Sequence, residues 1–171
     1  DLAINIPAAI LIALLLNEFG RSLWKRFVQT TIFIPHLFGW VVVAGIWMYF
    51  LAPDYGVVSM VMRALGKQPI NFLTSPSVAK PLVILLSVWK EVGFNAILYL
   101  AAISQISPEL YEAAVLDGAG RMRQVLSITL PSLVPTIRTL ILLGVTGVFT
   151  IFDPVYVLRN AGNSYALDVV M

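Results

Sequence analysis

The chain alternates between long apolar stretches and short polar connections. Four apolar stretches run approximately over residues 2–17, 28–51, 81–104 and 133–158. A helix needs about 20 apolar residues to cross the hydrocarbon core of a bilayer, so the last three are each long enough for a crossing. The first stretch is shorter and is typical of the later part of a crossing. The pattern predicts an all-α fold, a polytopic transmembrane helical bundle with about four crossings.

The composition agrees with a membrane location. The chain is 59% hydrophobic and 12% charged, whereas soluble domains are about 45–50% apolar and about 25% charged. Its eleven lysines and arginines are scattered rather than gathered in a basic stripe, so we expect no nucleic acid partner. With no cysteine and a single histidine, the sequence excludes disulfides and offers no cysteine or histidine cluster for a metal.

Neither end of the sequence resembles a natural boundary. The first 16 residues lack the basic region and the cleavage site of a signal peptide. The last six residues, 166–171, resemble the approach to another apolar segment. We therefore expect residues 1–171 to form one transmembrane domain that is incomplete at both ends.

The charges of the connecting loops predict an orientation. The first and third loops share one side of the membrane and, with Arg138, carry six lysines and arginines against four near the other face. The positive-inside rule then favours a cytoplasmic location for residues 21–26 and 105–132, and an external location for residues 52–80.

The segment after the third apolar stretch predicts a short helix. Ser107 suits the N-cap, Pro108 the first helical position, and Glu109 the positive end of the helix dipole. Gly118 is a typical helix terminator. A second short helix over residues 120–130 follows, so the two helices, hinged at glycine, predict an arm outside the bilayer.

The same segment contains a motif of fixed spacing. It reads Glu112-Ala-Ala114, three residues, Gly118, nine residues, Ile128, one residue, and Leu130-Pro131. This spacing resembles the cytoplasmic loop signature of binding-protein-dependent ABC importer permeases. The alternative from the residues alone is an interfacial amphipathic hairpin. The resemblance implies a coupling helix that fits a groove on an ATPase, with these ATPase-coupling residues: Glu112, Ala113, Ala114, Asp117, Gly118, Ile128, Leu130 and Pro131.

Other strings extend the resemblance to permeases of the carbohydrate type. They include Phe33-Ile-Pro-His36 in the second apolar stretch and Pro53-Asp-Tyr-Gly56 after it. Trp89-Lys-Glu-Val-Gly93 and Tyr99-Leu-Ala-Ala102 resemble the branch that imports complex oligosaccharides and polysaccharides, including uronate-containing ones. Arg159-Asn-Ala-Gly162 departs from the Gly-Gly-Pro of many carbohydrate permeases, which argues against simple maltose-like substrates.

The resemblance implies a membrane-spanning permease subunit of an ATP-driven importer for oligosaccharides in the bacterial inner membrane. The implied partners are cytoplasmic ATP-binding subunits, a second permease subunit, an extracytoplasmic solute-binding protein, an oligosaccharide substrate and the lipid bilayer. The sequence lacks a phosphate loop of the form G-x-x-x-x-G-K-[ST]. We therefore expect no cofactor in this chain, ATP being used by the partner ATPase. Amino acid, phosphate or metal-complex cargo is the alternative, because importers of those solutes share the loop signature.

Polar and aromatic residues in the third apolar stretch form a candidate substrate path. Ser87, Glu91 and Asn95 recur every four residues and so share one helix face. Trp89 and Tyr99 offer aromatic planes that stack on sugar rings. Two interpretations stay open: the polar face lines a path, or it joins helices, as polar groups inside membranes commonly do.

Lys90 and Glu91 place two ionisable groups near the middle of the same stretch. Charges at the centre of a crossing are costly, so neither side chain is expected to face lipid. The partner of Lys90 is either Glu91 or a charge on another subunit. No nucleophile, base or metal-ligand set accompanies the two residues, so we expect no catalytic residues and no enzyme. An intramembrane enzyme is the remote alternative.

Overall fold

The computed structural model describes residues 2–19, 23–72 and 76–148. These residues form helices and turns, with no strand among them, as the apolar pattern predicts. The helices are, in chain order, α1 (Leu2–Glu18), α2 (Leu23–Leu37), α3 (Trp40–Leu51), α4 (Val57–Ala64), α5 (Pro76–Ile103), α6 (Pro108–Leu116), α7 (Arg121–Gln124), a π-turn (Val125–Thr129) and α8 (Leu130–Val148).

Two helical segments of the described residues are long and apolar enough to cross a membrane. They are Lys80–Ile103 within α5, and Arg121–Thr146, which joins α7, the π-turn and most of α8. Helices α2 and α3 satisfy the same test only together, as a bent pair, and α1 is a shorter apolar helix of 17 residues. The all-α membrane fold is confirmed, with two spans by length and composition, or three if the bent pair is one span.

The predicted second crossing at residues 28–51 is interrupted. Helix α2 ends at Leu37 and α3 begins at Trp40, because Gly39 has extended backbone angles (φ −63°, ψ 154°). The string Phe33-Ile-Pro-His36 therefore lies in the last turn of α2. Apolarity shows which residues partition into lipid but not where their helix breaks, so the sequence did not give the position of the break.

The predicted fourth crossing begins earlier than residue 133. The chain stays helical from Arg121 through the π-turn into α8, so residues 121–130 are the start of a spanning segment rather than a separate short helix. Residues 149–171, which include the string at Arg159–Gly162, lie outside the described part of the chain.

The described helices divide into two compact units. The one we call the bundle unit consists of Leu2–Ile34 and Glu91–Gly147. Alanines in its core let helices approach closely. Gly93 has the same effect, since a Cβ at that position would overlap the backbone carbonyl of Ile32. The buried core residues are Ala9, Ala13, Leu16, Ala96, Tyr99, Leu100, Ile103 and Leu133.

The second unit, which we call the α3–α4 unit, consists of Pro35–Lys90. Its small core is formed by the buried residues Ala44 and Leu86. Partly buried side chains of α3 and α5 pack around them: Trp40, Trp47, Met48, Leu82 and Val83. This packing leaves much of the apolar side of α3 exposed, as expected for a helix whose surroundings are lipid.

Candidate coupling site

Helix α6 begins at the predicted position but is capped differently from the prediction. Pro108 occupies the first turn, and Ser107 is the N-cap residue with an extended backbone (φ −60°, ψ 129°). The side chain of Ser107 makes no capping hydrogen bond. Its backbone carbonyl instead accepts a hydrogen bond from the Leu110 N–H at 3.2 Å. The start of α6 therefore depends on backbone geometry and on Pro108.

The end of α6 requires glycine, as predicted. Gly118 has φ +75°, a conformation that residues with a Cβ rarely adopt. The N–H of Gly118 donates to the Val115 carbonyl at 3.0 Å, and the N–H of Ala119 donates to the Ala114 carbonyl at 2.8 Å. These two bonds are the Schellman closure of a helix. A Cβ on Gly118 would meet no atom within 4 Å, so the requirement is conformational rather than steric.

The surface of α6 combines a carboxylate with apolar side chains. Glu112, Ala113 and Asp117 are exposed, and Ala114 is half-buried. Leu116, four residues after Glu112 and therefore on the same face, is 89% exposed. The sequence interpretation missed this leucine. The sequence did contain a signal for it, because a large apolar side chain in a segment predicted to lie outside the bilayer indicates a contact surface.

The two halves of the loop signature are joined by one hydrogen bond. The hydroxyl of Tyr111 on α6 lies 2.9 Å from the hydroxyl of Thr129 at the end of the π-turn. Thr129 is buried and is flanked by the signature residues Ile128 and Leu130, both half-buried, while Pro131 in the first turn of α8 is exposed. The geometry therefore connects α6 directly to a residue near the start of a spanning segment.

Further contacts hold the loop against α1 and against itself. Arg121 at the start of α7 pairs with Glu18 at the end of α1. Both side chains are largely exposed, and such a pair contributes only about 0–1 kcal/mol to stability. The Gln124 side-chain amide also donates to the Ala119 carbonyl at 2.9 Å. These contacts orient the loop more than they stabilise it.

Two of the candidate substrate-path residues take part in packing of the bundle unit. The side-chain amide of Asn95 donates to the Asn5 side-chain oxygen at 2.6 Å. Tyr99 has no exposed surface, and its hydroxyl has no hydrogen-bond partner among the residues described. The geometry favours helix joining for Asn95 over lining of a path. A role in substrate contact stays a prediction for both residues.

The other candidates lie nearby along α5. Ser87 is buried, and Glu91 is half-buried. Trp89 packs edge-on against Trp47, with 5.5 Å between ring centroids. A role in the substrate path is untested for these three residues as well.

Lys90 has partners that the sequence did not reveal. Its side chain is only 6% exposed. The Nζ atom donates to the His36 backbone carbonyl at 3.3 Å and lies 5.5 Å from the centre of the Trp40 ring. A carbonyl and an aromatic face both compensate a buried ammonium group.

Comparison with known proteins gives one consistent family. Residues 5–164 match the family model described as "Binding-protein-dependent transport system inner membrane component". The chain is 43% identical over 170 residues to the polygalacturonan/rhamnogalacturonan transport system permease protein YteP of Bacillus subtilis (strain 168), which covers 99% of this chain and 53% of YteP. It is 38% identical to protein LplB of the same strain, over 99% of this chain and 54% of LplB. The chain thus spans about half the length of these relatives.

A solved structure shows the same fold. A chain in the crystal structure of a bacterial alginate ABC transporter in complex with alginate pentasaccharide-bound periplasmic protein is 38% identical to this one. The TM-score is 0.91, and the match covers 98% of this chain and 59% of that chain. These findings confirm the family predicted from the loop signature, a family of transport components rather than enzymes. The chain therefore belongs to the binding-protein-dependent transport system inner membrane components and is part of a multi-pass protein of the bacterial inner membrane.

Proposed function

We propose that these residues form the core of a permease subunit in an ATP-driven, binding-protein-dependent importer. The observation that carries the proposal is α6, an exposed helix with Glu112 on its surface and Gly118 at φ +75° at its end. This helix lies within the family match over residues 5–164. ATP is bound by partner ATPase subunits, and this chain itself holds no cofactor and catalyses no reaction.

Coupling works through the seating of α6 in a groove of the ATPase. Glu112 accepts hydrogen bonds from donors in that groove, and Ala113 and Ala114 keep the helix thin enough to enter it. Leu116 is 89% exposed, and burying a leucine side chain contributes about 1.5–3 kcal/mol. Movement of the ATPase then reaches α8 through the hydrogen bond between Tyr111 and Thr129.

The proposed cargo is an oligosaccharide that contains uronic acids. This proposal is supported by the names of two similar proteins, one for polygalacturonan and rhamnogalacturonan transport and one for an alginate pentasaccharide complex. All of these polymers contain acidic sugars. An extracytoplasmic binding protein delivers the cargo to a pathway between this subunit and a second membrane subunit, which is either identical or related.

A reconstituted transporter tests the proposal. The full chain is assembled in proteoliposomes with its second membrane subunit, its ATPase and its binding protein. ATP hydrolysis and uptake are then measured with oligogalacturonate and alginate oligosaccharides, and with maltotriose, an amino acid, inorganic phosphate and a metal complex. We expect the acidic oligosaccharides alone to stimulate hydrolysis and to accumulate inside the vesicles.

Each other outcome contradicts a defined part of the proposal. Stimulation by the amino acid, phosphate or metal complex, and by no saccharide, would show that the cargo is wrong. Stimulation by maltotriose alone would exclude the acidic sugars. Failure of the intact chain to retain any ATPase during purification would contradict the importer function itself.

A further inference from the structure

Helix α4 exposes its apolar face and buries its polar residue Ser59, the reverse of a water-exposed surface helix. At about 100° per residue, Val57, Met60, Val61 and Ala64 share one face, and Ser59 lies on the opposite face. Met60 is 57% exposed and Val61 is 54% exposed, whereas Ser59 has no exposed surface. A helix at a water boundary shows the reverse arrangement, with polar residues outward. The surroundings of α4 are therefore apolar.

Hydrogen bonds fix α4 against the end of α3. The Ser59 hydroxyl and the Gly56 N–H both donate to the Ala52 carbonyl, each at 2.9 Å. The guanidinium of Arg63 donates to the carbonyls of Pro53 and Asp54, each at 3.0 Å. These contacts occupy the polar groups of Ser59 and Arg63 and three carbonyls of the turn. The outward face of α4 carries only apolar side chains.

The apolar surface of α4 continues that of α3, a helix of a membrane protein. Val41 and Tyr49 of α3 are exposed, and so is Tyr55 in the turn between the two helices. The rings of Tyr49 and Tyr55 lie 5.4 Å apart. Tyrosines concentrate at the level of the lipid headgroups. This pair therefore marks the level at which the chain leaves the hydrocarbon core, directly before α4.

We propose that the outward face of α4, formed by Val57, Met60, Val61 and Ala64, binds the lipid bilayer at the boundary between headgroups and acyl chains. Helices with one apolar face lie parallel to the membrane surface at this boundary, and a helix need not be long to do so. Anchored in this way, α4 holds the end of α3 at a set depth. The proposal requires a membrane location and does not depend on the cargo or on the ATPase.

Site-specific fluorescence quenching tests the proposal. The 171 residues contain no cysteine, so Met60→Cys, Val61→Cys and the control Lys67→Cys each introduce one labelling site in this region, with cysteines elsewhere in the full chain replaced by serine. Each variant is labelled with bimane and placed in lipid nanodiscs. Quenching by a lipid-attached nitroxide near the headgroups is then compared with quenching by aqueous iodide.

The expected result separates the two positions on α4 from the control. Labels at residues 60 and 61 are quenched at least threefold more strongly by the lipid nitroxide than by iodide, and the label at residue 67 shows the opposite preference. Quenching of residues 60 and 61 by iodide alone would overturn the proposal in favour of a water-exposed loop. Protection from both quenchers would overturn it in favour of a covering protein, and repeating the assay with and without the binding protein would identify that partner.

Discussion

The hydroxyl groups of Tyr111 and Thr129 lie 2.9 Å apart and connect α6 to the π-turn that precedes α8. Single π-turns inside α-helices occur frequently at functional sites. Here the turn lies near the start of the spanning segment Arg121–Thr146. The hydrogen bond is therefore well placed to pass a displacement of α6 to the membrane helices.

Tyr111→Phe and Thr129→Val should each reduce the coupling between hydrolysis and transport. Each removes one partner of a bond worth about 0.5–1.5 kcal/mol, while the exposed face of α6 stays intact. We expect normal retention of the ATPase and a lower ratio of substrate imported to ATP hydrolysed in proteoliposomes. The double variant should be no worse than either single variant. If the ratio of substrate imported to ATP hydrolysed is unchanged in both single variants and in the double variant, the hydrogen bond has no role in coupling.

Gly118 should tolerate substitution poorly, and Gly120 should tolerate it well. A residue with a Cβ in the left-handed conformation of Gly118 is strained by about 1–2 kcal/mol, so Gly118→Ala should weaken retention of the ATPase and Gly118→Val should weaken it further. Gly120 has an ordinary φ of −68° and open space around it, so Gly120→Ala is the matched control. Retention of the ATPase by each variant is measured by co-purification, and the amount of each variant in the membrane is checked by immunoblotting. Equal behaviour of the two alanine variants would argue against the assigned turn.

Helix α6 should not tolerate a much larger side chain at Ala114. Ala114 is half-buried, and Ala114→Trp adds a large side chain to the helix that is proposed to enter the ATPase groove. We expect the variant to insert into the membrane normally, because the change lies outside the spans, and to lose its ATPase on purification. Normal transport by this variant would contradict the coupling assignment.

Asn95 should act as a packing residue. Asn95→Leu leaves the buried side chain of Asn5 without its partner at 2.6 Å, and an unsatisfied buried polar group costs about 1–3 kcal/mol. We expect a lower melting temperature in detergent, with most of the loss recovered in the double variant Asn5→Leu/Asn95→Leu. If Asn95→Leu alters uptake while the melting temperature stays unchanged, the residue lines the substrate path instead.

Gly93 should be irreplaceable in the contact between α2 and α5. A Cβ at Gly93 would overlap the Ile32 carbonyl, and backbone atoms cannot move aside as side chains do. Gly93→Ala should therefore reduce the amount of folded protein recovered from membranes. Gly45→Ala is the control, since a Cβ there meets nothing within 4 Å and alanine favours a helix. Equal recovery of the two variants would contradict the close contact.

Much of the fold and the local conformation of α6 were predictable from the sequence because these features depend on neighbouring residues. Long apolar runs predict membrane helices, since transfer into lipid depends mainly on composition within about 20 residues. The end of α6 at Gly118 was predicted as well, because a left-handed turn favours glycine wherever it occurs. The family followed from the spacing of Glu112, Gly118 and Pro131, which is a property of the sequence alone.

Only the tertiary structure decided which distant residues meet. Asn5 and Asn95 are 90 positions apart, and Lys90 and the His36 carbonyl are 54 positions apart, so no local pattern connects them. The break at Gly39 and the outward apolar face of α4 were also beyond the sequence. Both depend on the free energy of packing one helix against another, which hydrophobicity along the chain does not specify. The sequence by itself thus determined the family and which long segments are apolar enough for a membrane, and the three-dimensional packing determined the partners of the polar groups described above.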